Sequence, residues 1–392
     1  MLNEQGLSEE QVLSRLNSLL ENDATYRSGH PVASMSTIPH SIGSEVFYKT
    51  MEKNAGRLHT FKGSAQVECE VIAMIGELLN LENPVGSTTS GGTESNILAM
   101  LCARESNKKI QEPEIIAPRT VHSSVDKAAW LLGIKLVKTP IDKEFKAKPK
   151  AIQKKINENT IGIFTTAGTT YLGQIDPIDK IGKIAQDNRL HLHVDAAFGG
   201  FVIPFLRDLG ISHHQFAFEV EGVTSVSSDP HKMGLAPIPA GSLIFRSKKF
   251  LKKITKKIPY LQGASATQST ILGTRPAGAI LATWAVMKRL GKEGYRQMVL
   301  QCIENTQIAL NRLEDNPLLK PAIKPVMNII GIKSNELPLE YIVENMEKRG
   351  WRMATSPKPH TMRLVLMPHV TVGALNAFFN DLDQVSTTIP AD

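Results

Sequence analysis

The 392 residues, 42% apolar and 21% charged, exceed what one compact core usually holds and have the balance of an ordinary globular chain. No apolar run of about 18 residues predicts a membrane span, and the polar, acidic stretch Met1–Glu10 lacks the layout of a secretory signal. The net charge of +7 is concentrated in Lys143–Lys155 and Lys248–Lys257; without interleaved aromatics or zinc-ligand spacing, these runs read as solvated faces rather than a nucleic-acid surface.

In chain order, Ser8–Glu21 predicts a helix and is followed by a Pro/His/Ser-rich arm through Ile38-Pro39-His40, expected to pack over a larger body or a second subunit. Val67, Val71, Met74, Ile75, Leu78 and Leu79 mark one face of a helix over Gln66–Asn80. From Val85 to Ile244 short apolar runs alternate with amphipathic helices. Strands are expected at Ile115–Ala117, Leu136–Thr139, Ile161–Thr165, Leu190–Asp195, Ser225–Ser228 and Ser242–Phe245, and helices near Thr93–Arg104, Ser124–Leu132, Pro149–Asn157 and Pro177–Asn188. This alternation predicts a largely parallel sheet covered on both faces, with ligands beyond the carboxyl ends of its strands. Helices over Ala277–Leu290 and Glu293–Glu314 follow. After Pro321 the pattern becomes strand Val326–Ile332, helix Leu339–Arg349, strands Arg352–Ala354 and Arg363–Met367, and helix Val372–Leu382. The expected division is an arm over residues 1–55, a large domain over 56–316 and a small α+β domain over 317–392. Cys69, Cys102 and Cys302 are far apart and odd in number. They are expected to be buried free thiols of a cytoplasmic protein, not disulfides or metal ligands.

Two segments carry chemistry. Ser227-Ser228-Asp229-Pro230-His231-Lys232-Met233-Gly234 places a lysine in a small-residue turn beyond a strand. Such an amine suits an enzyme that holds pyridoxal 5'-phosphate as a Schiff base, although alone it fits a surface lysine equally well. Leu190–Val194 leads into Asp195-Ala196-Ala197, a carboxylate at the end of a buried strand, which is costly unless paired. A pyridine nitrogen would supply such a partner.

His193–Ala197 (HVDAA) and Asp229–Lys232 (DPHK) resemble the corresponding elements of the group II pyridoxal-phosphate-dependent amino acid decarboxylases. The likeness runs over about residues 30–380 and is strongest to the short archaeal L-tyrosine/L-aspartate decarboxylases. It implies an α/β, aminotransferase-like fold (fold type I) and a homodimer with its active site at the interface. Lys232, Asp195 and His122 would be catalytic, with His122 stacking on the cofactor ring. Gly91, Gly92 and Thr93 of Ser90–Asn96 (SGGTESN) would bind the cofactor phosphate. Thr169 in Thr166–Asp176 (TAGTTYLGQID) and Ala197, Asp229 and His231 would contact the cofactor, and Thr274 in Gly273–Arg275 would reach it from the second subunit. Arg363 would hold the substrate α-carboxylate, and the loop Gly56–Gly63, His59 included, would meet the substrate side chain.

The activity implied is decarboxylation of a small amino acid. L-aspartate ranks first (to β-alanine, for coenzyme A), on the cations Arg57, His59 and Lys62; L-tyrosine (to tyramine) and L-glutamate are the other candidates. Two other readings stay open: a carbon–carbon lyase of the sphingosine-phosphate lyase type, and a non-catalytic basic binding protein on an inherited fold.

Overall fold

The computed structural model describes residues 2, 4–57, 60–258, 267–334, 336–357 and 359–387. A seven-stranded sheet forms its centre, made of β1 (Val85–Thr89), β2 (Glu114–Pro118), β3 (Lys135–Thr139), β4 (Thr160–Thr166), β5 (His191–Asp195), β6 (Val223–Ser228) and β7 (Gly241–Phe245). Their order is β1-β7-β6-β5-β4-β2-β3, and β7 alone runs against the other six. Every residue of β2, β4, β5, β6 and β7 is buried, as expected for strands covered on both faces.

Side chains alternate between two cores. Ile163, Val194 and Val226 face a layer built from α3 (Lys62–Leu78), α7 (Ile178–Asp187), α8 (Ile203–Asp208) and α10 (Ala277–Glu314). Ile115, Phe164 and Leu243 face α4 (Gly92–Ser106), α5 (Ser123–Leu132) and α9 (Lys248–Ile254). The helix at Pro149 is short (α6, Pro149–Gln153) and does not extend to Asn157. Lys248, Lys249, Lys252 and Lys253 stand exposed on α9, a solvated face as expected. The helices after Ala277 join into one element broken at Gly291, whose φ of +56° lies in the left-handed region.

Two short strands, β8 (Lys256–Lys257) and β9 (Thr267–Gln268), pair with each other. The C-terminal sheet contains β10 (Leu319–Pro321), β11 (Ile329–Ser334), β12 (Ala354–Pro357) and β13 (His360–Val365), in the antiparallel order β10-β11-β13-β12. Strand β11 starts three residues later than Val326, because Met327 and Asn328 form a bend whose carbonyl at Asn328 accepts Leu366 N at 2.9 Å. Ile330 and Leu364 face α11 (Leu339–Lys348) and α12 (Val372–Thr387), while Ile329 and Val365 join the core of the large sheet. One pleated sheet thus welds the two units together.

Among the described residues the N-terminal segment holds two α-helices, α1 (Glu9–Leu20) and α2 (Ser41–Thr50). Between them Val32 enters the C-terminal core, so the arm packs on this chain's own body. Helix α2 lies against α10 at Gly43, where a Cβ would come within 2.7 Å of Val286 Cγ2.

All three cysteines are free, but Cys69 is exposed. Ser64, Glu68, Val71, Ile72 and Ile75 form the inward face of α3, and Cys69 is turned about 100° away from it. Among the described residues, no helix is long and apolar enough to cross a membrane and no cluster suits a metal ion.

Candidate active site

Because β1, β2, β4, β5 and β6 run parallel, the loops leaving their carboxyl ends open on one edge of the sheet. There they enclose a cavity of about 310 Å³ lined by Ser90–Thr93, His122, Thr166, Gly168, Thr170, Asp195, Ala197, Phe198, Asp229, His231, Lys232 and, from the arm, Met35. Nine of the predicted site residues meet in this cleft: Gly91, Gly92, Thr93, His122, Asp195, Ala197, Asp229, His231 and Lys232.

The turn from β1 into α4 is built for close approach. Gly91 has φ +149° and ψ 177°, a conformation open to glycine. A Cβ on Gly91 would stand 3.1 Å from His231 Cε1; one on Gly92 would stand 3.1 Å from Asp229 Oδ2 and 3.2 Å from Ala197 Cβ. Glu94 closes the turn by accepting Ser90 N at 2.7 Å. Gly92 and Thr93, the first residues of α4, line the cavity, and a helix N-terminus at that position favours a phosphate.

Asp195 ends β5 at the cavity's floor. Its Oδ1 accepts Ala197 N at 3.1 Å and Ser227 Oγ at 3.3 Å, and its Oδ2 accepts Asn96 Nδ2 at 2.8 Å. His122 caps α5, its Nδ1 accepting Ser124 N at 3.2 Å. Burial pushes the His122 ring below the ordinary histidine value, against the pull of Asp195, so it is neutral near pH 7.

Lys232 follows β6. Its Nζ lies 3.4 Å from Asp229 Oδ2, which also accepts Gly92 N at 3.1 Å and stands 3.6 Å from His231 Nε2. The His231 Nδ1 accepts Ala240 N at 3.2 Å, and burial lowers the affinity of its ring for a proton. Two buried oxygens here, Asp229 Oδ1 and Thr166 Oγ1, have no hydrogen-bond partner. A glycine cradle, a primary amine, a strand-end carboxylate and orphaned polar atoms in one cleft fit a phosphorylated aldehyde cofactor with a basic ring nitrogen.

The other expected residues lie apart. Thr169 is buried outside the lining, its Oγ1 accepting Gln174 N at 2.9 Å, while its neighbours Gly168 and Thr170 face the cavity. The tight turn from Thr169 to Gln174 consumes the hydroxyl. Asp176, the last residue of that motif, is an anchor: its carboxylate accepts Ala147 N at 2.8 Å and Thr166 N at 2.9 Å. Arg363 sits behind Thr170, donating from Nη1 to Thr170 O at 2.9 Å and from Nη2 to Ala33 O at 2.7 Å, with its buried Nε unpaired. Thr274 is exposed and does not line this cleft. Its neighbour Arg275 makes a forked ion pair with Glu68, Nη1 to Oε1 at 2.8 Å and Nη2 to Oε2 at 3.0 Å. His59 and the Arg57 side chain lie outside the described residues.

Sequence reading passed over Met35, Phe198, Thr170 and Asn96. For Asn96 a signal existed: an amide inside an apolar helical run, Ile97–Leu101, is costly to bury unless it is bonded.

Residues 4–330 match the pyridoxal-dependent decarboxylase conserved domain. The L-aspartate decarboxylase of Thermococcus kodakarensis is 42% identical over 386 residues, covering 98% of this chain and 99% of that protein. A protein of Methanosphaera stadtmanae named as a probable L-tyrosine/L-aspartate decarboxylase is 40% identical, covering 97% of this chain and 98% of its own. Among solved structures, the sphingosine-1-phosphate lyase of Burkholderia pseudomallei superposes with a TM-score of 0.91 at 26% identity, over 98% of this chain and 92% of that one. The chain therefore belongs to the pyridoxal-dependent decarboxylases, as a fold type I enzyme that decarboxylates an amino acid with pyridoxal 5'-phosphate.

Proposed function

We propose that the cleft decarboxylates L-aspartate, with Lys232 as the amine that carries the cofactor. The observation that carries this reading is the convergence of Lys232, Asp195 and His122 on one cavity beside the Gly91–Gly92 cradle. When bound, the cofactor supplies an electron-accepting ring tethered to the substrate amine.

The chain's own groups do the rest. Gly91, Gly92 and Thr93 would hold the phosphate with the N-terminus of α4, and Asp195, its carboxylate pinned by three donors, would partner the ring nitrogen. His122 would stack on the ring as a neutral imidazole, and Asp229 keeps the Lys232 amine at the cleft from 3.4 Å away. Arg363, behind Thr170, would hold the α-carboxylate with the guanidinium N–H groups that Thr170 and Ala33 leave free, and so orient the bond to be broken.

Aspartate ranks first because the Thermococcus kodakarensis relative is named for it, and because Lys62, a cation of the expected Gly56–Gly63 segment, stands exposed at the start of α3. Cleavage of a carbon–carbon bond is named for the 26%-identical lyase, whereas the Thermococcus kodakarensis and Methanosphaera stadtmanae relatives, at 42% and 40% identity, carry decarboxylase names.

We further propose a cytoplasmic homodimer. Helix α1 buries no residue of its own yet leaves Val12, Leu13, Leu16, Leu19 and Leu20 exposed, an apolar face suited to a second copy. Ile271 and Leu272 are exposed beside Thr274, which in a dimer would reach the other copy's phosphate site. The deciding experiment is carbon dioxide release from L-aspartate, L-tyrosine and L-glutamate under steady-state conditions. Aspartate should lead in kcat/KM by about tenfold or more, a difference of ~1.4 kcal/mol in barrier. A higher kcat/KM for tyrosine or glutamate would overturn the assignment.

A further inference from the structure

Asn96 lies one turn into α4, fully buried, and touches neither the cavity nor solvent. Its amide nitrogen is 2.8 Å from Asp195 Oδ2 and 2.8 Å from Ser124 Oγ, and its amide oxygen is 2.9 Å from His193 Nε2. A carboxylate oxygen only accepts, so the nitrogen must face Asp195 and the orientation of the amide is settled by its partners.

That orientation propagates in two directions. Ser124 Oγ receives the second N–H of Asn96 and is left to donate its own proton to His122 Nδ1, 2.9 Å away. With Ser124 N also donating to Nδ1, neutral His122 carries its proton on Nε2. On the other side His193 gives its Nε2 proton to Asn96 and accepts from Ser225 Oγ on Nδ1 at 2.8 Å. Burial holds His193 down to about 4, so it is neutral near pH 7 and this pattern does not switch. Asp195 Oδ1 has two other donors, whereas Oδ2 has only Asn96 among the described residues.

We propose that Asn96 is a positioning residue, a single amide that fixes the plane of the Asp195 carboxylate and, through Ser124, places the His122 proton on Nε2. This rests on the reading that Asp195 and His122 face the cofactor ring. Asn96 couples the two sides of that ring: one hydrogen bond ties it to Asp195, the group at the ring nitrogen, and two in series, by way of Ser124, tie it to His122, the group stacked on the ring face.

The test uses the cofactor-loaded enzyme with Asn96→Leu, Asn96→Asp, Asp195→Asn and the double variant Asn96→Asp/Asp195→Asn. Four quantities are read: the pH midpoint of the bound cofactor's visible absorbance band, kcat, KM and Tm. Either Asn96 substitution should lower kcat about 10- to 100-fold, the range expected for a lost hydrogen bond to a charged group. KM should stay within about twofold, because Asn96 does not touch the substrate's cleft. The band midpoint should move by roughly one unit as Asp195 loses its hold on the ring nitrogen. The double variant remakes an amide–carboxylate pair with the partners exchanged. It should recover Tm but neither the band midpoint nor kcat.

If both Asn96 substitutions lower only Tm, leaving the band midpoint and the kcat per bound cofactor as in the wild type, Asn96 is merely structural and the inference falls. If Asp195→Asn itself leaves the band and kcat unchanged, the reading of Asp195 fails and takes the inference with it. If Asp195→Asn alters both while the Asn96 variants alter neither, the inference alone is overturned.

Discussion

Replacing Arg275 with methionine tests how the loop bearing Thr274 is held to the body. The guanidinium is nearly buried, with 11% of the side chain exposed, and faces Glu68 with 9% exposed. Besides the forked pair, Nη1 donates to Thr88 O at 3.1 Å and Thr88 Oγ1 at 2.9 Å, and Nη2 to Ala55 O at 3.2 Å. Removing one partner of a buried pair costs about 3–5 kcal/mol, since the other charge is left uncompensated. Glu68 would keep Thr88 N at 3.1 Å and Thr88 Oγ1 at 2.6 Å, which places the expected cost near the lower end, about 3 kcal/mol. A chain of 392 residues has an unfolding entropy of ~0.8 kcal/mol/K, so the expected fall in Tm is about 4 °C. Arg275→Met/Glu68→Leu should return most of that loss, because an apolar pair of similar volume replaces the ions without leaving a charge behind. Scanning calorimetry of the cofactor-free protein reads both variants. A loss under about 1 °C in the single variant, or a double variant as unstable as the single one, would show that the pair does not anchor this loop.

The buried histidines set an acid limit. Burial holds His193 down to about 4 and His191 down to about 3, whereas an unfolded histidine charges near 6.5, so the stability they contribute above pH 6.5 drains away as the pH falls toward 4. Asp176, pushed up to about 6 by burial, acts in the opposite sense between pH 6 and 3.8, but one carboxyl offsets only one of the two rings. Tm measured from pH 7 to 4 should therefore fall, and a flat or rising profile would contradict the neutral burial of both rings. Thiol chemistry should separate the cysteines: burial pushes Cys102 and Cys302 up to about 12, while Cys69 is exposed. A thiol reagent should modify one cysteine rapidly in the native protein and all three in denaturant. Peptide mapping that found Cys102 or Cys302 labelled first would refute the packing of α4 or α10.

Much of the site was readable because its residues break local patterns. Glycines where a helix begins, an aspartate closing an apolar strand and a lysine in a small-residue turn each conflict with local expectation, and all of them line the cleft. Strand and helix periods placed the parallel body within a few residues of the observed ends. What escaped was decided by partners distant in sequence. Helix α2 gives little local signal and buries only Gly43; its packing against α10 brings it into the structure. Glu68 sits on the inward face of α3 because Arg275 meets it there, and that same face turns Cys69 outward. Thr169 stood in the right motif, yet its hydroxyl closes the turn to Gln174, a detail of backbone geometry that spacing does not carry. The role of Asn96 is set by partners on β5, β6 and the start of α5, which its place in the Ser90–Asn96 motif does not reveal.

The central claim is that Lys232 carries the cofactor at the heart of this cleft. Borohydride reduction of the loaded enzyme would fix the Schiff base covalently, and mass-spectrometric peptide mapping would then locate the pyridoxyl group. The account predicts that the modified residue is Lys232, which stands 3.4 Å from Asp229 in the cavity that His122 and Asp195 also line. Stoichiometric labelling of any other lysine, with Lys232 unmodified, would contradict it.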